Sequence, residues 1–151
     1  MARRLLILGP SFRRRREPEV LPALERYDGI FFRVARKYLA EANDVDVMVL
    51  NDDMRLIDGS TPMPYSPPRG DKWAGYSIPD NVLEEAREEN MRVLDRKLAS
   101  GEYSEVFVAM GKQFARALPD MSRYGVKVVF PARGGPGPKS RALKLWLTRR
   151  E

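Results

Sequence analysis

Arg3-Arg4-Leu5-Leu6-Ile7-Leu8-Gly9-Pro10-Ser11-Phe12, followed at once by Arg13-Arg14-Arg15-Arg16, is the stretch on which the reading of the fold turns. Four consecutive aliphatic residues that end in Gly-Pro-Ser read as a short strand buried on both faces, the pattern of a central strand in a parallel sheet. Gly9 and Pro10 stop it. An open α/β sheet places its ligand crevice where such strands end. Here four arginines stand at that exit, so the expectation is an anion-facing site.

Working outward, the remaining strands and helices alternate. The apolar spacing at 31, 34, 35, 38 and 39 predicts an amphipathic helix over 30–40. Val45 to Leu50 reads as a second strand, ending in Asn51-Asp52-Asp53. These three are either a turn, which Asn and Asp favour, or a polar reading head at the crevice. Residues 54–79, rich in Pro and Gly and carrying Tyr65, Trp73 and Tyr76, read as a lid-like connection or as cover for a sheet edge. Ser77 to Asp80, or Asn81 to Glu84, opens a helix by a capping-box pattern that runs to about Ala99. Val106 to Met110 is a third strand, and Gly111-Lys112 leads from it into a short helix. Val126 to Phe130 is the fourth strand. It exits through Arg133-Gly134-Gly135-Pro136-Gly137-Pro138-Lys139-Ser140 into a last helix from Arg141 to Arg149.

This order predicts a single α/β domain over 1–151, three layers α/β/α around a four-stranded parallel sheet. The strand exits then share one edge. Ser11, Arg13, Arg14, Arg15, Arg16, Asn51, Gly111, Lys112, Arg133, Gly134, Gly135, Lys139 and Ser140 are the expected nucleic-acid- or phosphate-binding residues. Asp52 and Asp53 are the only candidates for a catalytic carboxylate.

Composition narrows the chemistry. The 151 residues contain no Cys and no His, which excludes disulfides, thiolate catalysis, zinc–thiolate sites and histidine general bases. No cofactor or metal is implied. The net charge of +6 is split: residues 1–16 hold six arginines and no acid, and residues 133–151 hold six cations and one acid. The segment between them has 15 bases against 20 acids. Clustered positive charge of this kind suits phosphate-bearing partners. Two solvated basic tails are the plainer alternative. No apolar run approaches a membrane span, and the basic start lacks a signal-peptide core, so the expected setting is cytoplasmic and without a membrane partner. High charge, 12 prolines and a single glutamine fit a thermophile. Gly134 to Ser140 is not a P-loop, because Pro138 stands where its second glycine belongs and has no N–H to offer phosphate.

The succession of exits resembles uracil-DNA glycosylase-like domains. Those carry a Gly-Gln-Asp-Pro-type motif after the first strand, then a strand ending in Asn and a strand ending in Gly before a helix. A His-Pro-Ser-Pro-type loop comes last. Gly9-Pro10-Ser11, Val49-Leu50-Asn51, Val108-Ala109-Met110-Gly111-Lys112 and Pro131-Ala132-Arg133-Gly134-Gly135-Pro136 occupy those places in that order. Tyr27-Asp28-Gly29-Ile30-Phe31-Phe32, Leu56-Ile57 and Pro64-Tyr65 also resemble segments of an uncharacterised prokaryotic family related to a domain of the tRNA-modifying archaeosine synthase, with Gly9-Pro10-Ser11 in place of its Cys-Ser. The resemblance implies a nucleotide- or nucleic-acid-binding site with Asn51 as the base-reading group, RNA such as tRNA being favoured. The glycosylase's water-positioning Asp has no counterpart here and its His is absent, so classical uracil excision is not implied. An enzyme acting on a nucleoside or nucleobase is the alternative, and a structural part of a larger assembly a third.

Overall fold

The computed structural model describes residues 2–11, 13–67, 78–131 and 135–149. Strand β1 (Arg3–Leu8) lies at the centre of a five-stranded sheet, between β3 (Val45–Leu50) and β6 (Tyr103–Ala109). Strand β7 (Lys127–Val129) flanks β6, and β4 (Leu56–Asp58) flanks β3. The four strands expected from the sequence are mutually parallel. The fifth, β4, runs antiparallel to β3 at the edge. The sheet is therefore five-stranded and mostly parallel, not four-stranded. A three-residue strand carries no readable period, and the prolines around it hide it further.

Leu5, Leu6, Ile7 and Leu8 are all fully buried, because alternate side chains enter two different cores. Leu5 and Ile7 pack with Leu83, Ala86, Leu94 and Leu98 of α3 (Asp80–Leu98). Leu6 and Leu8 pack with Phe32 and Ala35 of α2 (Ile30–Tyr38) and with Leu143 and Leu147 of α5 (Pro136–Thr148). Helices thus cover both faces. The short α4 (Lys112–Ala115) joins the α3 side through Phe114. α5 starts five residues earlier than expected, because Pro136 sits in its first turn, where a missing N–H costs nothing.

Two further short strands, β2 (Val20–Pro22) and β5 (Pro62–Pro64), form a separate antiparallel pair. Part of the 54–79 connection is thereby built into sheet, through β4 and β5. Its Gly70, Trp73, Tyr76 and the capping Ser77 lie outside the described residues, and α3 is preceded by Pro79 with no side-chain cap. Arg26, the last residue of α1 (Ala23–Arg26), is completely buried and has no carboxylate partner among the described residues. Its guanidinium donates instead to the carbonyls of Met63, Arg15, Pro18 and Glu19 at 2.7–3.3 Å. A buried charge needs its donors satisfied. Arg26 thereby pins the 15–19 segment and β5 to α1. Among the described residues no helix is long and apolar enough to cross a membrane.

Candidate functional site

From β1 the chain crosses to β3 on one side, and from β6 it continues to β7 on the other, so the connections diverge between the β1 and β6 exits. That is the usual crevice position. Here the gap is narrow: a Cβ at Gly9 would stand 2.5 Å from the Cβ of Met110, so only glycine allows the two exits to meet. The polar groups gather beside it, between the β1 and β3 exits.

Asn51-Asp52-Asp53-Met54-Arg55 forms a tight hairpin turn from β3 to β4. The Asn51 N–H donates to the Arg55 carbonyl at 2.9 Å, and the Met54 N–H donates to the Asn51 carbonyl at 2.9 Å. Met54, buried at 2 % exposure, has φ +65°, a left-handed conformation that side chains rarely adopt. Buried Asn90 of α3 holds it there. Its Nδ2 donates to the Met54 carbonyl at 2.8 Å and to the Ala117 carbonyl at 2.9 Å, and its Oδ1 accepts from the Leu56 N–H at 2.9 Å. The strained turn is thus fixed from the α3 layer.

Four side chains meet above this turn. The Arg14 side chain, 1 % exposed, donates to Asp52 Oδ1 at 2.6 Å and lies 5.0 Å from the Tyr27 ring centroid. It also donates to the Ser11 carbonyl at 3.1 Å. The Tyr27 hydroxyl donates to Asn51 Oδ1 at 2.5 Å. Burial, reinforced by the negative charge of Asp52, pushes the Tyr27 phenol far above its ordinary range, so it stays a proton donor. With Oδ1 occupied, the Asn51 amide presents Nδ2, which makes no hydrogen bond among the described residues.

The other expected site residues divide. Ser11 Oγ donates to the Arg13 carbonyl at 2.9 Å and packs so close to Gly29 that a Cβ there would come within 2.5 Å of it. Arg13 is exposed and stands 3.9 Å from Asp28. Asp28 also accepts from Arg33 and Arg36 of α2; burial works to raise its pKa, but these hydrogen bonds outweigh it and hold the carboxyl below the usual range. Arg15 and Arg16 are exposed, Arg16 beside Glu17, Glu19 and Tyr65. Gly111 precedes α4, and Lys112 is exposed. Gly135 precedes α5, Lys139 is half-buried, and Ser140 Oγ donates to the Gly137 carbonyl at 2.8 Å. Arg133 and Gly134 lie outside the described residues. The structure brings together Ser11, Arg14, Asn51 and Asp52. Among the described residues, no hydrogen bond or ion pair joins Lys112 or Lys139 to them.

Asp52 is the counter-ion of Arg14, and Asp53 Oδ1 accepts from the Arg55 N–H at 3.1 Å. Both carboxylates therefore have structural work. On the α3 side the same turn opens on a cleft of 530 Å³ that contains Asp52, Asp53 and Glu89 with Arg55, an acidic environment unsuited to phosphate. Sequence reasoning missed Tyr27, Arg26 and Asn90. Tyr27 stood inside a quoted motif, but neither Arg26 nor Asn90 carries a local sign of burial. No protein-family model, curated protein or solved structure matches the chain.

Proposed function

We propose that the chain binds nucleic acid or a nucleotide at the rim formed by the β1 and β3 exits. RNA such as tRNA is the favoured partner. The observation that carries this reading is the hydrogen bond from Tyr27 to Asn51 Oδ1. It fixes the orientation of an amide whose Nδ2 then offers a donor at a strand exit. A base with an exocyclic carbonyl supplies the matching acceptor, and single bases out of a stack are read through such edge contacts. Exposed Arg13, Arg15 and Arg16 lie a few residues along the chain and supply charge for phosphates. The order of exits resembles that of uracil-DNA glycosylase-like domains, and we read the fold as belonging to that type. The favour for tRNA comes from the resemblance to the archaeosine synthase domain.

The experiment is a titration of tRNA and of single-stranded DNA at two ionic strengths, with Asn51→Asp beside the unaltered chain. Replacing Nδ2 by an acceptor turns attraction for a base carbonyl into repulsion. The expected loss is about tenfold, in the range of one good base contact. Absence of binding at low salt overturns the reading.

A further inference from the structure

The reading above leaves the path of the nucleic-acid backbone open, and a second surface supplies it. α2 and α5 pack side by side over one face of the sheet. Between them runs a cleft of 490 Å³, lined by Arg33, Lys37, Tyr38, Gly137, Arg141 and Lys144 among others. Among the described residues it contains no carboxylate. Four other clefts on the described surface each carry at least two. The two helices together hold Arg33, Arg36, Lys37, Lys139, Arg141 and Lys144, and not one Asp or Glu.

The arrangement is also unneutralised. Arg33 has Asp28 as a partner, but Lys37, Arg141 and Lys144 are exposed and have no ion-pair partner among the described residues. Lys37 Nζ and Lys144 Nζ, from different helices, approach the same Tyr38 ring, at 5.4 and 5.3 Å from its centroid. Two like charges drawn to one aromatic repel each other over a Debye length of roughly 10 Å at 0.1 M salt. A polyanion laid between them relieves that repulsion.

We propose that the α2–α5 groove is the track for the sugar–phosphate backbone of a single-stranded nucleic-acid segment. This rests on the nucleic-acid reading and adds the surface that grips the chain of phosphates. Gly137, Arg141 and Lys144 fall on one helical stripe, whose ends are about 10 Å apart at 1.5 Å per residue. A Cβ at Gly137 would meet nothing within 4 Å, so the backbone there is open to close approach. The groove is shallow, so its row of cations and not its shape argues for a strand of phosphates, and an anionic bilayer is the alternative that the test separates. Arg33 and Arg13 share Asp28, so the groove is continuous in charge with the β1 exit.

The test uses fluorescein-labelled oligo(U) and oligo(dT) twelve-mers, anisotropy at low and moderate salt, and vesicles containing phosphatidylserine. The variants are Lys37→Glu/Arg141→Glu/Lys144→Glu and Asn51→Asp, both checked by circular dichroism. The groove variant is expected to lose at least tenfold in oligonucleotide affinity at low salt. Its log–log salt slope should flatten by about 2, three contacts at roughly 0.7 each. Asn51→Asp should leave that slope in place. If the groove variant binds oligonucleotide with unchanged affinity and slope while Asn51→Asp does not, the track is elsewhere and the rim reading survives. If the unaltered chain binds neither oligonucleotide, both readings fall. Loss of vesicle binding with oligonucleotide binding intact makes the groove a lipid surface and overturns the proposal.

Discussion

On one face of the sheet, α3 presents six carboxylates among four cations, so acids outnumber bases, and several of the cations on and around it are ion-paired. Arg92 faces Glu88, Arg55 faces Glu89, Arg116 faces Asp80 and Lys97 faces Asp58. On the other face, α2 and α5 present six cations and no carboxylate, and four of those cations have no ion-pair partner among the described residues. Both layers bury similar apolar stripes against the same strands, so the contrast is not about folding. A surface whose charges cancel within itself has little left to offer a charged partner, whereas one whose charges do not cancel carries a standing repulsion that a partner of opposite sign removes. Polar groups in the interior of both layers should therefore govern stability, and exposed ones should govern binding on one layer only.

The largest expected effect comes from the buried guanidinium at the end of α1. Arg26→Ala strands carbonyls of Met63, Arg15, Pro18 and Glu19 in a buried site. At about 1–3 kcal/mol for a buried group left unsatisfied, the loss should be about 3 kcal/mol or more, read as a lower midpoint in urea unfolding. Arg26→Lys should not restore it, because one ammonium cannot span four carbonyls. An unchanged midpoint would remove Arg26 from the structural class.

Asn90→Ala is the counterpart in the α3 layer and should cost about 2 kcal/mol, since three buried hydrogen bonds go and Met54 keeps its left-handed conformation without support. Oligonucleotide affinity measured on the same sample should fall as well, because Asn51 lies in the turn that Asn90 holds. A variant that is less stable yet binds normally would uncouple the turn from the rim.

How far the sequence discloses this differs between strands and charges. The strands at 45–50 and 127–129 and the helix at 80–98 announce themselves through apolar runs and spacing that backbone geometry imposes locally. β2, β4 and β5 do not, since three residues give no period and prolines at 22, 62 and 64 speak against strand pairing. The arginine run is legible as charge but not as three different environments. Arg14 is enclosed and ion-paired, Arg13 leans on Asp28, and Arg15 and Arg16 face solvent. Which arginine is enclosed depends on Tyr27 and Asp52, 13 and 38 positions away. The unneutralised groove was hidden for a similar reason. Its cations come from two helices about a hundred residues apart, one of them inside the segment where acids outnumber bases.

A charge-matched pair of variants isolates placement from net charge. Lys37→Glu/Lys144→Glu and Arg92→Glu/Arg96→Glu change the total by the same amount, on opposite faces of the sheet. The first should weaken single-stranded RNA by about tenfold, some 1.4 kcal/mol, and the second by no more than about twofold. Equal losses would mean that long-range attraction alone is being measured and that the two layers do not differ functionally.

The smallest effect concerns the carboxylate at the head of the basic layer. Asp28 accepts from Arg33 and Arg36 and stands near Arg13, which holds its pKa below the unfolded value despite the opposing pull of burial. A depressed folded-state pKa gives stability that is present above the unfolded carboxylate value of about 3.9 and lost as pH falls through the folded one. Asp44 follows the same rule, lowered first by the hydrogen bond from Arg4. Acid unfolding should accordingly set in below about pH 4, and Asp28→Asn should be slightly less stable at pH 7 while losing less on acidification. The same substitution releases Arg33 and Arg13 from their shared partner. Oligonucleotide affinity at pH 7 should then rise, by about twofold at low salt, with the salt slope steeper by up to roughly 0.7 for each cation that reaches a phosphate. A gain in affinity from a change that costs stability is what a layer short of counter-charge requires. A loss would show that Asp28 organises the arginines for the ligand instead of competing with it.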